Sequence, residues 1–516
     1  MTSGTTNRKM GVILQYGQMV LQIIIQLVYT PIMLRILGDN EYGIYSLVSS
    51  IISYLSLLSL GFGASYIRFY SVSKATGDDE AVKRLNGLYL LVFIIMGAIA
   101  LIAGLVIAFN VTIFFNETYT ADDLEIAKIL MIFLAINLSV SFPASVFTSY
   151  ISSQEKFIFQ KLANMGKTVF SPCLSIAFLL LGYGSIGMVI ATTAISLLVD
   201  IINVLFCVGK LKMRFSLRNP NLYLLKDIAI FSIFIAINQI VDQINWQTDK
   251  IILGKMVNPT AVAIYAVGSN LNAMYTNFST AISGVFAPQI NRLVSMQPNG
   301  WVDEINALFQ KVGRLQFLVL GLIMSGFIFF GQYFISIWAG EGYELSYYIA
   351  LLLICPGTIA LIQNIGVEVQ RARNKHQFRS LVYLFMAVLN VGISILLCYY
   401  LGTIGTAIGT TISLVIANGL IMNIYYQKKL DINVGKFWIQ IVKILPGLVL
   451  PVLTGILIML FVEITSIWMF LGLIAAYSVL YCISMWFFGM SRYEKDLVMN
   501  IFRKICRKKS NDKNNG

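Results

Sequence analysis

DDEAVKRLNGLYLLVFIIMGAIALIAGLVIAFNVTIFFNETYTADD, residues 78–123, describes one complete membrane crossing. It starts beside Lys83 and Arg84, runs without a charge from Leu85 to Asn116, and ends among Glu117, Asp122 and Asp123. About 20 apolar residues in succession cross the hydrocarbon of a bilayer as a helix. The unlike ends give the crossing a direction, because Lys and Arg collect on the cytoplasmic side.

The same reading extends along the chain. Apolar stretches of spanning length recur at 11–37, 42–69, 86–115, 124–153, 161–182, 184–208, 225–253, 261–291, 304–337, 345–373, 377–401, 403–428, 436–462 and 465–490. Several are long enough to require tilt. Of the 37 Lys and Arg, all but Arg35, Lys128, Lys250 and Lys255 fall toward one side of this pattern. That side is the cytoplasm by the positive-inside rule, so both termini are expected there. The net charge of +13 is thereby explained by topology and needs no nucleic acid. The fold class is all-α: a polytopic membrane protein of about fourteen helices.

Composition narrows the function. Charged residues make up 12% of the 516, against roughly 25% in soluble domains. The six cysteines are scattered without metal spacing, and a single histidine, His376, cannot form a ligand cluster. No nucleotide loop or nucleophile–His–acid set is present, and the outer loops are short. The chain is therefore expected to be neither an enzyme nor a metal protein, and to require no cofactor.

An internal repeat organises the helices. SIGMVIATTAIS (Ser185–Ser196) matches TIGTAIGTTIS (Thr403–Ser413) at a lag of about 218 residues, placing Gly187 on Gly405 and Thr192 on Thr410. LGDNEYGIYSL (Leu37–Leu47) resembles LGKMVNPTAVAIYAV (Leu253–Val267), and Pro143 has a counterpart in Pro356. Each copy holds six helices, an even number, so the copies are related by a pseudo-two-fold axis along the membrane normal. The expected divisions are an N-lobe 1–208, a cytoplasmic linker 209–224, a C-lobe 225–428, two further helices 429–490, and a basic cytoplasmic tail 491–516. The linker Lys210-Leu-Lys-Met-Arg-Phe-Ser-Leu-Arg218 alternates basic with apolar residues, which either lays it along the lipid interface or leaves it solvated. The tail from Arg492 to Lys509 has apolar residues at helical spacing, suited to the inner leaflet.

Polar residues inside membrane helices are costly and face protein or water. The first helix carries Gln15, Gln18, Gln22 and Gln26 on one face; the seventh carries Asn238, Asp242, Asn245 and Asp249, flanked by Gln239, Gln243 and Gln247. These are the opening helices of the two copies. Their stripes either line a water-filled cleft or bond to neighbouring helices. Arg35, Asp249 and Lys250 fall at matched depth near the outer ends, as an outer gate, an anion-binding point or snorkelling side chains. Lys167 either lines the cleft or snorkels inward.

GDNEYGIYSL, SLGFGASYIRFYS, TDKIILG, IYAVGSN and APQINRL resemble the polysaccharide-biosynthesis flippases, O-antigen and capsule repeat-unit translocases of the multidrug/oligosaccharidyl-lipid/polysaccharide exporter superfamily. The resemblance runs the length of the chain. It implies a transporter in the cytoplasmic (inner) membrane that flips a polyprenyl-diphosphate-linked oligosaccharide to the outer leaflet by alternating access. It allows an H+ or Na+ gradient as driver and polysaccharide polymerase machinery as partner. Arg68 and Arg292 would meet the diphosphate at the inner mouth. The alternatives are a drug–cation antiporter of the same superfamily, whose members typically carry an acidic residue in the first helix, and a lipid II-type flippase, whose cavity is lined by arginines. The first helix here has no acidic residue within the membrane, and deep arginines are nearly absent apart from Arg35.

Overall fold

The computed structural model describes residues 2–500 and 503, apart from 60, 76, 218–221, 298, 374 and 376. Among them the chain is helical throughout, with no strand. The helices are α1 (Thr2–Leu55), α2 (Phe62–Ala75), α3 (Asp79–Phe109), α4 (Ala121–Ser153), α5 (Phe157–Leu180), α6 (Gly184–Leu205), α7 (Leu222–Met256), α8 (Pro259–Met296) and α9 (Trp301–Trp338). They continue as α10 (Glu344–Leu361), α11 (Asn364–Ala372), α12 (Gln377–Leu401), α13 (Thr403–Leu414), α14 (Met422–Lys429), α15 (Val434–Val442), α16 (Pro446–Phe461) and α17 (Ile467–Ser484). A further helix covers residues 492–500. His376, Arg218 and the tail beyond 503 lie outside the described residues.

Among the described residues eleven helices are long and apolar enough to cross a membrane, or twelve when α15 and α16, bent by 47°, are joined as one span. The protein is a multi-pass membrane protein. Two features account for the difference from fourteen. α1 breaks at Gly38 (φ +73°), so its continuous run holds the first two expected spans. α8 is 38 residues long but too polar to be counted by hydropathy. The expected spans 42–69, 345–373 and 436–462 are each interrupted. The first breaks before α2, the second between α10 and α11, and the third at Pro446, which lacks the N–H to continue α15.

The helices gather into two compact units. The first comprises Met1–Asn270, Trp338–Ile349 and Gln377–Ser413; the second comprises Leu271–Ile337, Ala350–His376 and Leu414–Gly516.

In the first unit an aromatic core joins α2, α3 and α4. Tyr66 and Tyr89 meet edge to face at 5.0 Å, and Tyr66 donates to Asn86 Oδ1 at 2.6 Å. Asn86 in turn donates to the carbonyl of Arg214, and the Ser216 amide donates to the carbonyl of Lys83. The linker is thus strapped onto α3. Met213 is buried, Leu211 and Phe215 pack on the same core, and Lys210, Lys212 and Arg214 stay exposed. The expected alternation is present, but Leu211, Met213 and Phe215 enter the protein core rather than the lipid interface, while Leu217 stays exposed. Opposite that core α3 exposes Ile94, Ile102, Val106 and Phe109, a surface suited to lipid.

Two hairpins of this unit share their geometry. α5–α6 turns through Gly184 (φ +56°) and α12–α13 through Gly402 (φ +60°), positions 218 apart. Left-handed backbone there costs glycine little. Ser175 of α5 donates to the Met188 carbonyl at 3.5 Å, and Ser394 of α12 to the Thr406 carbonyl at 3.3 Å. Gly187 and Gly405 each sit where a Cβ would strike the preceding helix or turn.

In the second unit Arg314 of α9 is the organising side chain. Nε and Nη2 grip both oxygens of Glu494 at 2.7 and 3.0 Å, Nη1 reaches the carbonyl of Gln440, and Nη2 also reaches that of Gly489. A charge this buried is tolerable when it is paired and hydrogen-bonded in this way. Gly313 admits the Phe437 ring, whose centroid lies 4.6 Å from that of Phe309. α13 runs on as a π-helix at Val415–Ile421, and Asn423 Nδ2 donates to the carbonyls of Asn418 and Gly419 within it.

Candidate functional site

A cavity of about 520 Å³ lies within the first unit, lined by Ser56, Ser59, Gly61, Gly63, Phe93, Leu138, Ser141, Phe142, Ser145, Ile235, Gln239, Asp242 and Gln243. Its walls come from the middle of α4, the middle of α7 and the break before α2, so it sits near the centre of those spans. The breaks make the room. Gly61 has φ +71°, and a Cβ there would lie 2.5 Å from Ile235. Pro143 interrupts the bonding of α4 alongside Phe142. The lining mixes hydroxyls and amides with aromatic side chains, and among the described residues Asp242 is its single ionisable group. Gln239 Oε1 is shielded from solvent and accepts no hydrogen bond among the described residues.

The flank of the α7 polar stripe serves a different purpose. Ser50 donates to Gln247 Oε1 at 2.9 Å and Ser53 to Gln243 Oε1 at 3.0 Å; Tyr54 meets Thr248. These bonds fasten residues 50–54 of α1 to α7, as amides do between membrane helices.

Further along α7 is a second polar centre. Asp249 is 2% exposed. Its Oδ2 accepts from the Tyr265 hydroxyl of α8 and, at 2.7 Å, from Thr410 of α13. Asn390 Nδ2 donates to Thr410 Oγ1 at 3.1 Å, and Ser394 donates to Asn390 Oδ1. One carboxylate within a shell of hydroxyls and an amide has the donor set for a proton or a monovalent cation. Among the described residues no group of three or more His, Cys, Asp or Glu is placed to hold a metal.

The structure divides the residues singled out from sequence. Asp242 lines the cavity with Gln239 and Gln243. Asn238 is exposed and accepts from Ser380 of α12. Asn245 and Lys250 are half-buried on the same helix. Gln18 and Gln26 are half-buried and Gln22 exposed on α1; none of the three lines this cavity. Arg35, expected to meet Asp249 at an outer gate, is exposed, whereas Asp249 is turned into the α8 and α13 hydroxyls. Lys167 is exposed on α5 within electrostatic reach of Asp200 of α6. Arg68 and Arg292 are exposed on α2 and α8.

Residues that the sequence reading passed over complete both centres. Ser59 and Gly61 lie within SLGFGAS, and Ser56 just before it, a stretch noticed only for its resemblance. Thr410 was visible as a repeat match, but nothing in the sequence placed it against Asp249.

Known proteins match the chain at three levels. The model of the family described as polysaccharide biosynthesis protein matches residues 10–294. The uncharacterized membrane protein EpsK of Bacillus subtilis (strain 168) is 21% identical over 420 residues, 79% of this chain and 81% of that protein. The structure of the lipid II flippase MurJ in an inward closed conformation is similar with a TM-score of 0.68 at 15% identity, covering 95% of this chain and 99% of that one. An inward-facing multidrug resistance MATE family transporter of the MOP superfamily gives 0.64 at 14% identity, covering 82% and 99%. At these identities the two structures establish the fold.

Proposed function

The chain belongs to the polysaccharide biosynthesis protein family, and on that premise we propose that it flips a polyprenyl-diphosphate-linked oligosaccharide from the inner to the outer leaflet of the cytoplasmic membrane. The observation that carries the reading is the mid-span cavity lined by serines and glutamines. A sugar cannot cross hydrocarbon unaided, because each unpaired hydroxyl costs roughly 2–7 kcal/mol. A hydroxyl and amide lining replaces the water that the sugar gives up. In this reading both termini are cytoplasmic, and lobes 1–208 and 225–428 move about the substrate. Asp249, in its hydroxyl shell, holds the proton or Na+ whose gradient drives the motion. The exposed Arg68 and Arg292 meet the diphosphate at the inner mouth, and polysaccharide polymerase machinery receives the product.

Drug–cation antiport is the second reading. It is favoured by the MATE likeness and by Asp242, a counter-charge for a cationic drug. Proteoliposomes that report the appearance of lipid-linked sugar at the far leaflet separate the two. Flipping of lipid-linked sugar, with loss of surface polysaccharide when the gene is removed, is the expected result. Export of cationic dyes with surface polysaccharide intact would replace the proposal with the second reading.

A further inference from the structure

Substrate of the proposed kind has three chemically distinct parts: an apolar chain, a diphosphate and sugar rings. The cavity discriminates among them. Among the described residues no Lys or Arg contributes to its lining. A diphosphate drawn from water into such a place would lose its hydration without gaining a charge-assisted bond. The polyprenyl chain loses nothing by staying in the bilayer, whereas the serine and glutamine groups would lose hydration against it. Sugar rings fit on both counts. Their hydroxyls can pair with Ser59, Ser141, Ser145 and Gln239. Their C–H faces can lie on Phe93 and Phe142, an apolar contact that charged or polar walls would not offer. The volume of about 520 Å³ falls within the roughly 300–1,000 Å³ usual for small-ligand sites. A separate observation points the same way. Gln239 Oε1 is buried at the cavity without a partner among the described residues, and a buried acceptor left unpaired is costly unless a ligand donor reaches it.

We infer that this cavity is the sugar-recognition subsite, that Gln239 accepts from a sugar hydroxyl within it, and that the diphosphate remains outside. The inference rests on the flippase reading but adds to it a division of the substrate among sites.

The test uses the full chain in proteoliposomes with a cysteine introduced at the cavity, Ser145→Cys, and separately Ser59→Cys. Alkylation of that residue is followed by peptide mass spectrometry. The probes are polyprenyl diphosphates carrying glucose, galactose or N-acetylglucosamine, the sugar-free polyprenyl diphosphate, and inorganic pyrophosphate. At least one sugar-bearing probe should protect the new cysteine, while the sugar-free lipid and pyrophosphate should not. Gln239→Leu should weaken that protection roughly three- to ten-fold, the factor expected for one or two neutral hydrogen bonds. Equal protection by the sugar-free lipid, or none by any probe, overturns the inference. Flipping of a lipid-linked sugar measured on the same samples keeps the two readings apart. If it persists while protection fails, only the subsite is lost; if no probe is flipped and surface polysaccharide survives gene loss, the flippase reading falls as well.

Discussion

Thr410 donates its hydroxyl to Asp249 at 2.7 Å, joining α13 to α7 across 161 positions of sequence. The bond gives a buried carboxylate an uncharged partner whose geometry survives changes in protonation. Asp249→Asn should keep the shape of the site and the fold while removing the charge that a cation or proton would neutralise. Flipping by this variant in proteoliposomes should lose its dependence on the imposed H+ or Na+ gradient. Unchanged gradient dependence would remove Asp249 from the coupling step.

Thr410→Val separates structure from transport at the same centre. It leaves Asp249 and Asn390 each short of a partner, which should cost roughly 1–3 kcal/mol of stability. The thermal midpoint in detergent should fall, while Thr410→Ser, which retains the hydroxyl, should stay near the parent.

The Arg314–Glu494 pair makes a stability prediction. Arg314→Ala abandons a buried carboxylate, and Glu494→Gln a buried guanidinium; each should cost about 3–5 kcal/mol. Burial alone would raise the Glu494 carboxyl. The hydrogen bonds from Arg314 and Ser491 outweigh it and hold the group below its ordinary value of 4.5. A carboxyl depressed on folding stabilises above its unfolded value and loses that contribution as pH falls through the folded one. Stability measured by unfolding should therefore drop below about pH 4.5 in the parent and less steeply in Glu494→Gln.

Gly61→Val should close the cavity. Its Cβ would sit 2.5 Å from Ile235 in a backbone conformation that valine adopts only under strain. Transport should fall more than expression, and Ile235→Ala in the same chain should recover part of it by relieving the collision. Transport unchanged in Gly61→Val would show that the cavity is not used.

Topology can be checked without substrate. Cysteines introduced at Asp122 and Asp78 should react with an impermeant reagent from outside and inside respectively. The reverse pattern would invert the proposed orientation.

Much of the fold could be read from the sequence because charge and hydropathy are one-dimensional signals. Residues 78–123 show both ends of a crossing without reference to any other helix. Breaks were harder. Gly61 and Gly38 look like any of the many glycines in a membrane chain until their φ angles are known. The sequence leaves the linker open between the lipid interface and solvent because it does not show that Asn86 and Lys83 wait for it. The α7 stripe was legible as polar but not as divided. Asp242 faces a cavity, Gln243 and Gln247 hold α1, and Asp249 belongs to a shell whose other members come from α8, α12 and α13. Only tertiary structure brings those members together.

Asp242 and Asp249 lie seven residues apart on α7, about 10 Å along a helix rising 1.5 Å per residue. A continuous helix is stiff over such a distance. A shift of its Asp249 end, as that shell tightens or relaxes, is therefore a shift of the wall that Asp242 and Gln239 present to the cavity. No relay of side chains is needed to carry news from one place to the other: both are stations on a single rod, fastened to α1 through Ser50 and Ser53.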